Sequence, residues 1–179
     1  MIVEHDLVFT KTQTKMMDCW YACIQMVCSA SAGSKTKPKG PAVKNHRSTF
    51  FVGQKLDFSS AAGTEILNEN GLVKISRKIK LNSIDTLAQC LQTYGPIIVG
   101  GKFGPLNAGH FVVISGCNTG TGNVSICDPG WGKGKNTEPW SYISQKTWTI
   151  MGDENEPQDG AFIAVDPTGF FDQASRARR

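Results

Sequence analysis

Charge is scarce in this chain: only 19% of its 179 residues are Asp, Glu, Lys or Arg, while 40% are hydrophobic, a balance that excludes a disordered polyelectrolyte. The excess of basic over acidic groups is +4, too small for a nucleic-acid-binding stripe. Long apolar runs are also missing, and none approaches the ~18 residues of a membrane span. Six cysteines are too few for a disulfide scaffold; Cys19, Cys23, Cys28, Cys90, Cys117 and Cys127 sit mostly in apolar stretches and read as reduced thiols. Met1-Ile2-Val3-Glu4-His5-Asp6 carries acids where a signal peptide carries bases. The expectation is synthesis in the cytoplasm without a cleavable leader, with any export running through a specialised secretion or injection system.

What is present is enough apolar material for one domain over residues 1–179, with a core from about 8 to 165, an exposed loop over 29–49 and a tail over 166–179. Cys19, Ala22, Cys23, Met26 and Val27 recur at helical spacing and predict a core helix within 16–28. The small, basic and proline residues from Ser29 break that pattern and predict the loop. A helix from Ser59 to Asn70, stopped by Gly71, leads to a strand at Leu72-Val73-Lys74-Ile75. Ser83 is the expected N-cap of a second helix that presents Leu87, Cys90 and Leu91 and stops at Gly95-Pro96. Strands are expected at 96–99, 110–114, 123–127 and 161–165, separated by glycine-rich turns. Helices followed by a mostly antiparallel sheet make an α+β fold.

Cys19 falls in the first turn of the predicted helix, where free backbone N–H groups and the helix dipole favour a thiolate, the setting of a nucleophile. A buried core thiol is the competing reading, and it is adopted for the other five cysteines. Of the three histidines, His5 lies near an unpatterned start and His46 in the loop, whereas His110 opens a strand and so has a rigid mount. Asp128 directly follows the next strand; antiparallel pairing across the turn from Asn118 to Gly122 brings it beside His110 as an orienting group, although Asp-Pro-Gly alone is also a turn signature. Gln13, six residues before Cys19, is a candidate oxyanion donor. Trp20 either walls a substrate cleft or packs in the core.

Gln-x5-Cys-Trp, then Gly-His-Phe-Val-Val-Ile-Ser-Gly, then Val-Ser-Ile-Cys-Asp-Pro-Gly together resemble the papain-like cysteine peptidases, and in particular two compact bacterial branches. These are the effector proteases injected into host cells and the leader-cleaving domains of bacteriocin exporters; Cys-Trp favours the first, since the exporter domains usually carry Cys-Gly. The resemblance implies a papain-like fold with Cys19 as nucleophile, His110 as base, Asp128 as orienter and Gln13 as oxyanion donor. The cysteine and histidine are closer in sequence than the ~130 residues of papain and cathepsins, which implies a minimal version of the fold.

The expected activity is cleavage of a peptide bond through an acyl-enzyme on Cys19, without metal or other cofactor. One rival keeps the same groups but attacks another amide, as a cell-wall amidase or a glutamine deamidase would. A second rival is a binding module, either non-catalytic or stabilised by zinc on Cys19, Cys23 and His110. The expected partners are a protein or peptide substrate and a cognate inhibitor or immunity protein, with no nucleic acid and no membrane, and the chain is expected to be a monomer.

Overall fold

Strands with apolar residues at consecutive positions must be covered on both faces, and helices from both halves of the chain supply that cover. A computed structural model describes residues 1–5, 7, 18–31, 61–74, 82–104, 109–130, 132–147 and 162–165. In chain order the elements are β1 (Ile2–Glu4), α1 (Cys19–Ser31), α2 (Ala61–Glu69), β2 (Leu72–Lys74), α3 (Ile84–Tyr94), β3 (Ile97–Gly101), β4 (His110–Asn118), β5 (Asn123–Asp128), β6 (Gly134–Pro139), α4 (Trp140–Lys146) and β7 (Phe162–Val165). The strands form one sheet in the order β2-β7-β3-β4-β5-β6, with β1 paired to β4. Every pairing among them is antiparallel. The fold is α+β.

Successive side chains in β3, β4 and β5 point to opposite faces, which divides the core in two. Ile98, Phe111, Val113 and Cys127 pack with Trp20, Cys23, Ile24 and Val27 of α1 and Ile66 of α2. Ile97, Val99, Val112, Ile114 and Ile126 pack with Leu87, Cys90 and Leu91 of α3 and Ile143 of α4. Each fully buried Ile, Leu or Val contributes about 1.5–3 kcal/mol of transfer free energy, so the two-sided sheet is the main source of stability. Helix α3 is terminated as its sequence predicts. The Ser83 side chain accepts from the Thr86 N–H, and Gly95, at φ 78°, donates its N–H to the Leu91 carbonyl.

Four features differ from the sequence expectations. The start of the chain is ordered: β1 pairs with β4, Val3 is buried, and the His5 Nε2 lies 2.9 Å from the Leu91 carbonyl. A three-residue strand with one inward side chain has too little pattern to be read locally. Gly116 makes room for it, since a Cβ there would collide with the Glu4 carboxylate and lie 2.6 Å from the Val3 carbonyl oxygen. Glu4 instead crosses β4 to accept from the Ser125 hydroxyl at 2.9 Å and to pair with Lys135 at 3.0 Å.

Strand β4 runs to Asn118 rather than 114, continuing through an irregularity in its pairing with β5 between Ile114 and Gly116. Strand β6 and helix α4 were not anticipated. Gly-Lys-Asn-Thr-Glu-Pro has no apolar residue, because β6 pairs with β5 alone among the described strands, and α4 buries only Ile143. Helix α1 extends to Ser31, into the predicted loop; residues 32–49 and the predicted tail 166–179 lie outside the described residues.

Candidate active site

Local structure brings Cys19, His110 and Asp128 each to the end of an element. Asp18 immediately precedes α1 and its carbonyl accepts the Ala22 N–H at 3.0 Å, so Cys19 is the first residue of the helix. At 8% exposure it is a buried member of the cluster that includes Trp20, Cys23, Phe111, Val113 and Cys127. His110 is the first residue of β4 and Asp128 the last of β5. The hairpin register pairs Val113 with Cys127, which carries both residues to the end of the ladder remote from the Asn118–Gly122 turn.

There the His110 Nε2 lies 2.6 Å from Asp128 Oδ1, with only 12% and 11% of the two side chains exposed. The Cys19 side chain lies within the electrostatic influence of the same imidazole and helps to raise it. With Nε2 engaged by Asp128, Nδ1 is the ring atom left for the thiol. One imidazole on β4 thus stands between the thiol that opens α1 and the carboxylate that ends β5.

Burial alone would lower the His110 pKa. The hydrogen bonds to Asp128 and Cys19, reinforced by the charge on each, outweigh it and raise the imidazole from 6.5 to about 9. For Asp128, burial would raise the carboxyl. The hydrogen bond from His110, the Gly130 N–H and the charges of His110 and Lys133 hold it below its usual 3.8. The Gly130 N–H donates to the same Oδ1 at 2.7 Å. Tyr142 of α4 lies within the influence of this carboxylate, and its phenol is pushed up by burial, by Glu138 and by Asp128.

The remaining thiols are shifted against ionisation. Burial pushes Cys23 well up, with further contributions from the charges of Cys19, Asp128 and Cys127. It raises Cys28 to about 11 and Cys90 to about 12, and it moves Cys117 and Cys127 upward as well. All six cysteines are free. Among the described residues, no group of three His, Cys, Asp or Glu could hold a metal ion, so the zinc set of Cys19, Cys23 and His110 is not assembled.

Trp20 is 3% exposed; it packs in the core and meets the Tyr21 ring edge-on at 5.7 Å. Gln13 lies outside the described residues. Sequence reasoning passed over Gly101 and Gly130. Gly101 pairs with His110 on one side and Thr147 on the other, and a side chain there would strike the Lys146 carbonyl. The Gly-Gly and Asp-Pro-Gly sequences were the available signals. Each reads equally well as a turn or strand end until its neighbours are known.

An antiparallel sheet that presents a histidine and an aspartate to a helix opening on a cysteine is the architecture of a papain-like cysteine protease. The particular family follows from the sequence comparison: residues 3–146 match the family described as papain-like cysteine protease AvrRpt2, and the chain belongs to it. No curated protein matches the chain.

Proposed function

We propose that this cysteine protease cleaves peptide bonds through a thioester on Cys19, with His110 as the proton carrier and Asp128 as its orienting group. The observation that carries the proposal is the His110 imidazole bonded to the Asp128 carboxylate at 2.6 Å, within the influence of the cysteine that opens α1. The thiol proton moves to His110 Nδ1, and the sulfur attacks the substrate carbonyl carbon to give a tetrahedral oxyanion. As the oxyanion collapses, the C–N bond breaks and the amine leaves with the proton from His110. Water, deprotonated by the same ring, then hydrolyses the thioester and releases the acid. Asp128 keeps the ring oriented and offsets the positive charge it carries in between. Gln13 donates to the oxyanion from the segment that enters α1.

In this reading the substrate is a protein or peptide and the setting that of an effector acting outside the cell that makes it. The supports are the resemblance to injected proteases and the family match.

Incubating wild type and Cys19→Ala with a whole-cell extract tests the activity, with new protein N-termini expected for wild type alone. Deamidated glutamine or released wall peptides without new protein N-termini would instead assign the same groups to another amide. Iodoacetamide at limiting concentration should modify Cys19 first. Modification of Cys90 or Cys117 ahead of it would withdraw the nucleophile assignment. Gln13→Ala should lower kcat by about 10²-fold or more while that alkylation, which forms no oxyanion, continues.

A further inference from the structure

The Asp-Pro-Gly segment after β5 contains a glycine that its backbone does not require. Gly132 and Gly134 take φ of 73° and 69°, where a side chain is strained, but Gly130 is not among the glycines of positive φ. Space is what Gly130 provides. A Cβ at this position would stand 2.9 Å from Asp128 Oδ1 and 3.6 Å from its Cγ, closer to the oxygen than real Cβ atoms come. The nearest other group, Lys133 Cγ at 3.3 Å, belongs to a flexible chain that can give way.

Pro129 has no N–H, so the first backbone donor after Asp128 is that of Gly130. It is used, at 2.7 Å, on the same Oδ1 that meets His110 Nε2 at 2.6 Å. A short side chain with two torsions, held at one oxygen from two directions, has little freedom left.

We propose that Gly130 is a positioning residue of the catalytic site, its N–H and its missing side chain together setting the Asp128 carboxylate against His110. Gly130 acts through Asp128 and touches no substrate. The inference rests on the roles given above to His110 and Asp128. Adding one methyl group pushes the carboxylate off the imidazole and leaves the strand ladder in place, because the atom that has to move is the end of a side chain.

The test compares Gly130→Ala, Asp128→Ala and the double variant by three readouts: the His110 ring titration followed by NMR, the pH profile of iodoacetamide alkylation at Cys19, and thermal unfolding. Gly130→Ala is expected to lower the His110 midpoint from about 9 by one pH unit or more, about a tenfold loss of ion-pair stability, with the alkylation profile moving alongside. In the Asp128→Ala background the same methyl group should change neither readout, since the carboxylate it displaces is gone. A Gly130→Ala protein that melts lower with both profiles unchanged would reduce the glycine to a structural role and overturn the proposal. If Gly130→Ala does not fold, a folded double variant still supports it and an unfolded one overturns it. Should Asp128→Ala shift His110 while Gly130→Ala does not, this inference alone fails. Should Asp128→Ala leave His110 unmoved, the role of Asp128 fails and this inference with it.

Discussion

The hairpin of β4 and β5 carries the same local device at both ends. At one end Asn118 Oδ1 accepts from the Gly120 N–H at 3.0 Å; at the other Asp128 Oδ1 accepts from the Gly130 N–H at 2.7 Å. Each is a side-chain oxygen folded back on the backbone two residues ahead. Their second bonds separate them. Asn118 spends its second bond on the exposed Thr121 N–H at 3.3 Å, which only tightens the turn, whereas Asp128 spends it on the half-buried imidazole of His110. A turn motif becomes part of the candidate site when burial and strand pairing put an ionisable partner against its free lone pair. Substitutions at the two ends should therefore part company.

The largest effect is expected at the histidine, which has no counterpart at the Asn118 end. His110→Ala should reduce turnover by about 10²–10⁴-fold, measured on any substrate the extract experiment identifies, with the fold retained by circular dichroism. Activity within a few-fold of wild type would mean that the hairpin end holds its pair for stability alone.

Replacing Asp128 by Asn makes the site end resemble the turn end chemically, since the amide oxygen still accepts from Gly130. The charge is lost, so the His110 midpoint should fall below about 9 by one unit or more, and the alkaline limb of the alkylation profile should move to lower pH with it. An unchanged limb would show that hydrogen bonding without charge suffices.

The pH dependence of stability sharpens the contrast further. His110 is raised in the folded state, so its contribution is complete below its unfolded value of 6.5 and is lost as pH rises through about 9. Asp128 is lowered, so its contribution is complete above 3.8 and is lost as pH falls through its depressed folded value. The difference in Tm between wild type and Asp128→Asn should therefore be greatest between pH 3.8 and 6.5 and shrink on both sides. Asn118→Asp, at the exposed end, should show no such window.

The smallest effect belongs to Gly120. A Cβ there would lie 3.3 Å from Asn118 Oδ1, and its φ is likewise not positive. That exposed oxygen can yield to solvent, so Gly120→Ala should change stability by no more than about 0.5 kcal/mol in chemical denaturation and leave activity untouched. A loss as large as that from Gly130→Ala would place the sensitivity in the turn itself rather than in what the turn holds.

The sequence by itself determined the elements whose signals are local: the apolar face of α1 around Cys23 and Val27, the cap at Ser83 and stop at Gly95, and the β-branched runs of β3 and β4. It also singled out Cys19, His110 and Asp128, because a helix start, a strand start and a strand end are rigid mounts that chemistry needs. Strands β1 and β6 were left to the tertiary structure, since one has a single inward residue and the other no apolar residue at all. So was the choice between wall and core for Trp20. Periodicity records which way a side chain faces relative to its neighbours in the chain. That Asp128 holds His110 as well as closing a turn, and that Cys19 comes near that ring from far along the sequence, depends on the pairing of β4 with β5 and the seating of α1 on the sheet. Those are driven by burial of surfaces that no single segment contains.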